Sequence, residues 1–193
     1  MHPLRSGKVV QQMSDFETSI RITLVHEGGF QRLPNDSGNW TGGEIGVGEL
    51  KGTKYGISAA QFPHLDIQNL TEEQAVEIYR EGYWKSGYSQ ISSQLVADKL
   101  FDLGVLFGVH EAVSIMQQTL ENDFHITVDG DFGDETLGAI EQSEEYSLLK
   151  SYETNMTTHA FNIITKKPAK RAFIQNWCGR IGCSLQTPCV AHR

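Results

Sequence analysis

The segment SDFETSIRITLVHEGGF, residues 14–30, carries the strongest structural signal in the chain. Phe16, Ile20 and Leu24 recur at every fourth position, which predicts an amphipathic helix with Ser14 or Asp15 as its N-cap. Two glycines end the helix just after Glu27. The negative end of the helix dipole and apolar neighbours both disfavour a charged carboxylate there, so we expect the pKa of Glu27 to be raised. From position alone, Glu27 is either a solvated side chain at a helix end or a proton donor.

The next segment, residues 31–56, is rich in glycine, lacks helical periodicity and predicts a loop or a short β-ribbon. Asp36 lies in its polar first part, where water and backbone amides keep a carboxylate ionised. Thr53 stands near its end, directly before Lys54 and Tyr55. A shielded acid and a solvated carboxylate, presented by a helix end and the following loop, form the pair that glycoside hydrolysis requires.

The remainder of the chain predicts helices. Thr71 to Gln74 fits a capping box that opens a helix to about Tyr83. The apolar helix at 93–107 carries Asp98 and Asp102 as one polar seam, and we expect Asp102 to be paired by a buried salt bridge or a hydrogen bond. Further helices are predicted at 110–120, 134–141, 144–165 and 169–180. The fold class is therefore α+β, predominantly α.

Composition excludes several classes of function. The 193 residues include 16 Lys and Arg against 24 Asp and Glu, and a net charge of -8 argues against nucleic-acid binding. No apolar run is long enough to span a membrane. Residues 1–13 predict a flexible arm without a recognisable secretory signal.

Metal and disulfide signals are weak. His26-Glu27 begins a zinc-binding HExxH motif, but Phe30 occupies the second histidine position, and we expect neither a metal ion nor an organic cofactor. The three cysteines, Cys178, Cys183 and Cys189, predict ordinary thiols. A Cys178–Cys183 or Cys183–Cys189 bridge in an oxidising compartment is the alternative.

Three short motifs together resemble one family. Glu27-Gly28-Gly29-Phe30, Asp36-Ser37-Gly38 and Thr53-Lys54-Tyr55-Gly56-Ile57 are similar to the glycoside hydrolase 108 type of lysozyme-like N-acetylmuramidases, a group that includes phage endolysins and secretion-activating proteins. Residues 117–120 and 129–136, with Asn176-Trp177 and Arg180, resemble the peptidoglycan-binding region that accompanies this family. The resemblance implies a lysozyme-like catalytic region at 14–103, with a glycine-rich loop or β-hairpin after the first helix, and a helical peptidoglycan-binding region at 104–193.

The resemblance also implies a function, namely cleavage of the β-1,4 bond between N-acetylmuramic acid and N-acetylglucosamine. Glu27 would then be the proton donor, while Asp36 and Thr53 would position the attacking water. Peptidoglycan glycan strands would be the partner, at the cell wall in the periplasm or outside the cell, with a holin or a secretion system for export. Tyr55, Tyr83 and Trp84 are suited to stack on sugars or, alternatively, to fill the core. Trp40 lies in the glycine-rich insert, where no core is at hand, and we expect it to be exposed near the substrate.

The sequence departs from the family pattern at two places, which keeps two alternatives open. Residues 39–52 form an insert between the Asp36 turn and Thr53, and Leu106 stands where the family usually has an asparagine. The alternatives are a lytic transglycosylase that uses the same glutamate, and a non-catalytic module that binds peptidoglycan.

Overall fold

The computed structural model describes residues 13–26 and 29–182, and this part of the chain is predominantly helical. Two short antiparallel strands follow the first helix, with Thr53 paired to Ser58 and Lys54 to Ile57. The predicted α+β class with a small β excursion is confirmed. The elements are α1 (Phe16–His26), β1 (Thr53–Lys54), β2 (Ile57–Ser58), α2 (Glu72–Tyr83), α3 (Gln94–Phe107), α4 (Val109–Phe124), α5 (Asp134–Gln142), α6 (Glu145–Lys166) and α7 (Ile174–Ile181).

Helix α1 begins where its capping residue places it. The backbone N–H of Thr18 donates to Asp15 Oδ2 at 2.9 Å, so Asp15 is the residue that caps the helix. Ser14 instead donates its hydroxyl to the backbone carbonyl of Tyr88. Phe16 and Ile20 are buried, as their spacing predicts, and they fasten α1 to the core.

Helix α3 lies at the centre of the fold and packs against α1, α2, α4 and α7. Ser93 caps it by accepting a hydrogen bond from the backbone N–H of Val96 at 3.2 Å. Gly108 ends it with a φ of 99°, a backbone conformation that L side chains rarely adopt. Because only this glycine separates α3 from α4, the two helices pack as a tight pair.

The insert at 39–52 folds as a hairpin. Its two arms are joined by a bridge between Trp40 and Leu50 and by a hydrogen bond from the N–H of Thr41 to the carbonyl of Glu49 at 2.9 Å. The hairpin returns the chain to the point where it left the Asp36 turn. The insert therefore lengthens the loop without separating its two ends.

The last predicted helix, 169–180, is wrong in its first half. Residues Pro168–Phe173 form a 3-10 helix, in which the N–H of Lys170 donates to the carbonyl of Lys167 at 2.9 Å, and the α-helix begins only at Ile174. Short 3-10 segments are common connectors between helices, and the apolar spacing of a sequence does not distinguish them from a helical turn.

Several predictions fall on residues that the structure does not describe. The arm at 1–13, apart from Met13, lies outside the described residues, as do Glu27, Gly28, Cys183 and Cys189. Cys178 is described and its side chain is buried. Among the residues described, no helix combines the length and the apolar character needed to cross a membrane.

Candidate active site

The Asp36 turn and Thr53 lie against each other, joined by Asn39. Asp36 caps the 3-10 turn Ser37–Asn39 through its Oδ1, which accepts from the N–H of Gly38 at 2.9 Å. Asn39, fully buried at the end of this turn, accepts a 2.8 Å hydrogen bond from the hydroxyl of Thr53. Asp36 and Thr53 are both half-buried. Two of the three predicted catalytic residues therefore belong to one hydrogen-bonded unit.

Backbone pairing holds this unit in place despite the insert. Gln31 and Thr53 exchange two backbone hydrogen bonds, at 2.9 and 2.8 Å, and the N–H of Gly52 donates to the carbonyl of Asn39 at 3.0 Å. At Gly52, with a φ of +92°, a Cβ atom would lie 2.3 Å from the carbonyl oxygen of Gln31. The chain needs a glycine here because the two backbones approach so closely.

A groove of about 220 Å³ opens beside β2, between the first part of the chain and α7. Its first wall carries backbone of the β1–β2 turn and side chains of α2 and α3, among them Leu106, which stands where the family pattern has an asparagine. Its second wall comes from the C-terminal segment. The lining residues are Gly56, Ile57, Gln61, Tyr79, Tyr83, Val105, Leu106, Phe173, Asn176, Trp177 and Arg180.

A buried ion pair borders this groove. Arg180 donates from Nη2 to Asp102 Oδ1 at 2.7 Å and from Nε to Asp102 Oδ2 at 3.1 Å. Thr23 of α1 donates its hydroxyl to the same Oδ1 at 3.1 Å. The predicted buried salt bridge of Asp102 is confirmed, and it joins α1, α3 and α7 at one point.

The predicted sugar-stacking residues occupy different environments. Tyr83 is half-buried and lines the groove. Tyr55 is half-buried in the β1–β2 turn, with a φ of 51° and its carbonyl accepting from the hydroxyl of Tyr79 at 2.9 Å. Trp40 lies at the base of the hairpin and donates its indole N–H to the carbonyl of Pro34 at 2.9 Å.

Trp84 packs in the aromatic core. Its ring makes edge contacts with Phe16, Tyr88 and Phe101 at centroid distances of 5.6, 5.5 and 5.7 Å. Its indole N–H donates to the hydroxyl of Ser89 at 3.1 Å. These contacts favour the core alternative that the sequence left open for this residue.

The described residues give the position of the predicted acid along the chain and show no metal-binding cluster. Glu27 follows the last residue of α1, His26, and itself lies outside the described residues. Among residues 13–26 and 29–182, no three His, Cys, Asp or Glu side chains come close enough together to hold a metal ion.

Sequence reasoning missed Asn39 as part of the site. The residue stands directly after the Asp36-Ser37-Gly38 motif, and its side chain also donates to the carbonyl of Leu33 at 3.2 Å. A polar residue at the end of a tight turn is a detectable signal, because such a side chain usually bonds to nearby backbone. Its pairing with Thr53 could not be read from the sequence, because the insert at 39–52 separates the two residues along the chain.

A helix followed by a glycine-rich hairpin, with a polar turn and a groove beside it, is the layout of a lysozyme-like glycoside hydrolase. Residues 20–108 match the glycosyl hydrolase 108 family, and residues 111–181 match a predicted peptidoglycan domain. The chain therefore carries a glycosyl hydrolase 108 domain, followed by the predicted peptidoglycan domain. It is a glycoside hydrolase that acts on peptidoglycan. The predicted division of the chain at 103/104 falls within α3 and stays a prediction.

A solved structure shares this fold. The structure of SagA from Brucella abortus aligns with a TM-score of 0.65 and 20% sequence identity, over 86% of this chain and 89% of that chain. No curated protein matches the chain at a significant level.

Proposed function

We propose that the protein is an N-acetylmuramidase that hydrolyses the β-1,4 bond between N-acetylmuramic acid and N-acetylglucosamine. Glu27 acts as the general acid and protonates the bridging oxygen, which leaves with the N-acetylglucosamine side of the strand. Asp36 and Thr53 hold the water that attacks the anomeric carbon of the muramic acid residue.

The observation that carries this proposal is the Asp36–Asn39–Thr53 unit. The Thr53 hydroxyl donates its hydrogen bond to Asn39 Oδ1. The lone pairs of the hydroxyl oxygen therefore remain available to accept a hydrogen bond from water. Asp36 uses one carboxylate oxygen to cap its turn, and the other is the acceptor for the second proton of the same water. In our proposal, these two acceptors of one hydrogen-bonded unit orient a water molecule and increase its nucleophilicity.

The placement of α1 supports the role of Glu27. Thr23, in the last turns of α1, bonds to Asp102, and Asp102 in turn bonds to Arg180 of the groove lining. The residue after His26 therefore follows a helix end that is anchored beside the groove. A residue at this end of a helix meets the negative end of the helix dipole, which disfavours a charged carboxylate and is the reason to assign Glu27 the role of proton donor.

The test is turbidity loss of purified cell walls. We expect Glu27→Gln to reduce the rate by at least about 100-fold, since a general acid contributes roughly 10²- to 10⁴-fold. Asp36→Asn is expected to reduce the rate as well. Glu121→Gln, the same chemical change at an exposed position of α4, is the matched control and retains the wild-type rate. Undiminished lysis by Glu27→Gln removes this residue from the acid role.

Product masses separate hydrolysis from the alternative chemistry. A muramidase adds water and leaves reducing ends, whereas a lytic transglycosylase closes the muramic 6-hydroxyl onto the anomeric carbon and releases anhydro products. Our proposal requires reducing ends, because the Asp36–Asn39–Thr53 unit is assigned to water. Anhydro products would keep Glu27 as the acid and reject the water-positioning roles.

A further inference from the structure

The second wall of the groove belongs to the region that matches the peptidoglycan domain. Phe173, Asn176 and Trp177 line the groove together with Tyr83 and the β1–β2 turn. The groove lining includes Gly56 and Ile57, and Ile57 is the strand partner of Lys54, the residue directly after Thr53, so the groove lies next to the strand that carries Thr53. A glycan strand that reaches Thr53 therefore has this wall within reach.

Phe173 presents an aromatic ring to solvent beside the buried Trp177. It is 50% exposed, and among the phenylalanine, tyrosine and tryptophan side chains of the described chain only Tyr146, at 67%, is more exposed. Its ring stacks on that of Trp177, with an interplanar angle of 18° and a centroid distance of 6.3 Å. Trp177 is 8% exposed and rests edge-on against Phe107 at 5.2 Å. The exposed ring of Phe173 therefore contacts a buried ring that is itself packed in the core, so part of its conformational freedom is already restricted before a ligand covers it.

The surroundings of Phe173 suit an N-acetylated sugar. Aromatic rings bind the apolar C–H faces of pyranoses, while the exposed amides of Asn176 and Gln61 offer donors and acceptors to hydroxyl and acetamido groups. A volume of about 220 Å³ is below the ~300–1,000 Å³ of pockets that enclose drug-sized ligands, so it suits one ring of a longer chain. Lys170 Nζ lies 5.1 Å from the ring centroid on an exposed side chain, and a sugar bound to this face of the ring would have to displace it.

We propose that Phe173 and Asn176 form a subsite for one N-acetylated sugar ring, so that the peptidoglycan domain completes the substrate groove of the hydrolase region. The inference rests on the proposed function, because it takes a glycan strand as the occupant of the groove. It assigns the C-terminal region a direct part in holding the strand that is cut.

The test is calorimetric titration with a soluble, peptide-free tetrasaccharide of alternating N-acetylglucosamine and N-acetylmuramic acid. Glu27→Gln serves as the parent protein, so that the ligand is not consumed. We expect Phe173→Ala to weaken binding about three- to tenfold, the effect of losing one aromatic contact. Phe173→Tyr keeps the ring and is expected to bind within twofold of the parent. Phe161→Ala removes an equally large ring from the exposed face of α6, outside the groove lining, and is expected to change nothing.

The outcomes separate this inference from the proposed function. Binding by Phe173→Ala within twofold of the parent overturns the subsite, and so does an equal loss in Phe161→Ala. If the parent does not bind the tetrasaccharide, the glycan occupancy of the groove is rejected as well. If the parent cleaves the ligand, only the acid role of Glu27 fails, and the same titration repeated at short times still measures the subsite.

Discussion

Replacing Arg180 by methionine tests whether the Asp102–Arg180 pair connects the two regions energetically. The side chains are 5% exposed for Arg180 and 9% for Asp102, so the variant leaves a buried carboxylate with only the hydroxyl of Thr23 as a described donor. Each hydrogen bond to a charged group contributes roughly 1.5–3 kcal/mol, and Arg180 makes two to the carboxylate. Breaking one side of a buried pair typically costs about 3–5 kcal/mol, and we expect a loss of that size.

Urea unfolding measures this loss. With a slope of about 2 kcal/mol per molar urea, the midpoint is expected to fall by about 1.5–2.5 M. Arg21→Met, at an exposed position of α1, is the matched control and is expected to change the free energy of unfolding by less than about 0.5 kcal/mol. The double variant Asp102→Leu, Arg180→Met removes both charges and is expected to recover most of the loss, because well-packed apolar residues often replace a buried ion pair at little cost.

Two results would refute this reasoning. A loss below about 1 kcal/mol in Arg180→Met would mean that solvent or another group compensates Asp102. The free energy lost by the double variant is compared with the sum of the losses in Asp102→Leu alone and in Arg180→Met alone. If the two values are equal, the charges do not interact.

Three further predictions concern single positions. In urea unfolding, Gly52→Ala is expected to destabilise the protein by at least about 1 kcal/mol more than Gly46→Ala, and it is also expected to slow wall lysis. Both glycines have a positive φ, but only at Gly52 would the added Cβ meet backbone, at 2.3 Å. Equal losses would show that the close approach beside Thr53 is unimportant. Burial raises the pKa of Tyr88, and within the described residues its hydroxyl is the one buried side-chain polar group without a hydrogen-bond partner. Tyr88→Phe is therefore expected to keep or raise the thermal midpoint of unfolding. A clear fall of the midpoint would reveal a partner. The backbone N–H groups of Ser147 and then Tyr146 lower the pKa of Glu144. The stabilising effect of its carboxylate is therefore present above the ordinary pKa of 4.5 and disappears as the pH falls through the lowered pKa. Glu144→Gln should lose less stability than the wild type between about pH 5 and 3, and an unchanged dependence of stability on pH would contradict this.

Periodicity and caps made most of the helical framework predictable. Apolar spacing located α1 and α3, and the Thr71–Gln74 capping box is present with both of its hydrogen bonds. Local signals alone do not identify the N-cap of α5, although Asp134 and Thr136 are both residue types that suit an N-cap position. Gly133 is the N-cap instead, while Thr136 accepts a hydrogen bond from the buried side chain of Gln117. Local signals cannot reveal a partner that stands so far away along the chain.

The candidate site was predictable by residue type more than by pairing. The Asp36 motif and Thr53 could be found from the sequence, but their connection through Asn39 depends on a hairpin that closes on itself, and such closure is a tertiary property. For Asp102, the sequence predicted a buried salt bridge or hydrogen bond but did not identify the partner residue. Arg180 lies 78 positions away, and nothing in the spacing of the sequence links the two residues.

The contacts between the two matched regions bear on why they occur in one chain. Besides the Asp102–Arg180 pair, Lys99 of α3 donates to the backbone carbonyls of Arg180 and Ile181 at 3.1 and 3.2 Å and pairs with Glu153 of α6 at 3.3 Å. The carbonyls at the end of α7 carry the negative end of its dipole, so the lysine stabilises the helix that forms the second groove wall. Because the hydrolase region supplies Asp102 and Lys99 while the peptidoglycan domain supplies Arg180 and Glu153, each region alone would hold buried or half-buried charges without their partners. The physical unit of stability is therefore the pair of regions together, and a groove with one wall from each is the arrangement that this shared core produces.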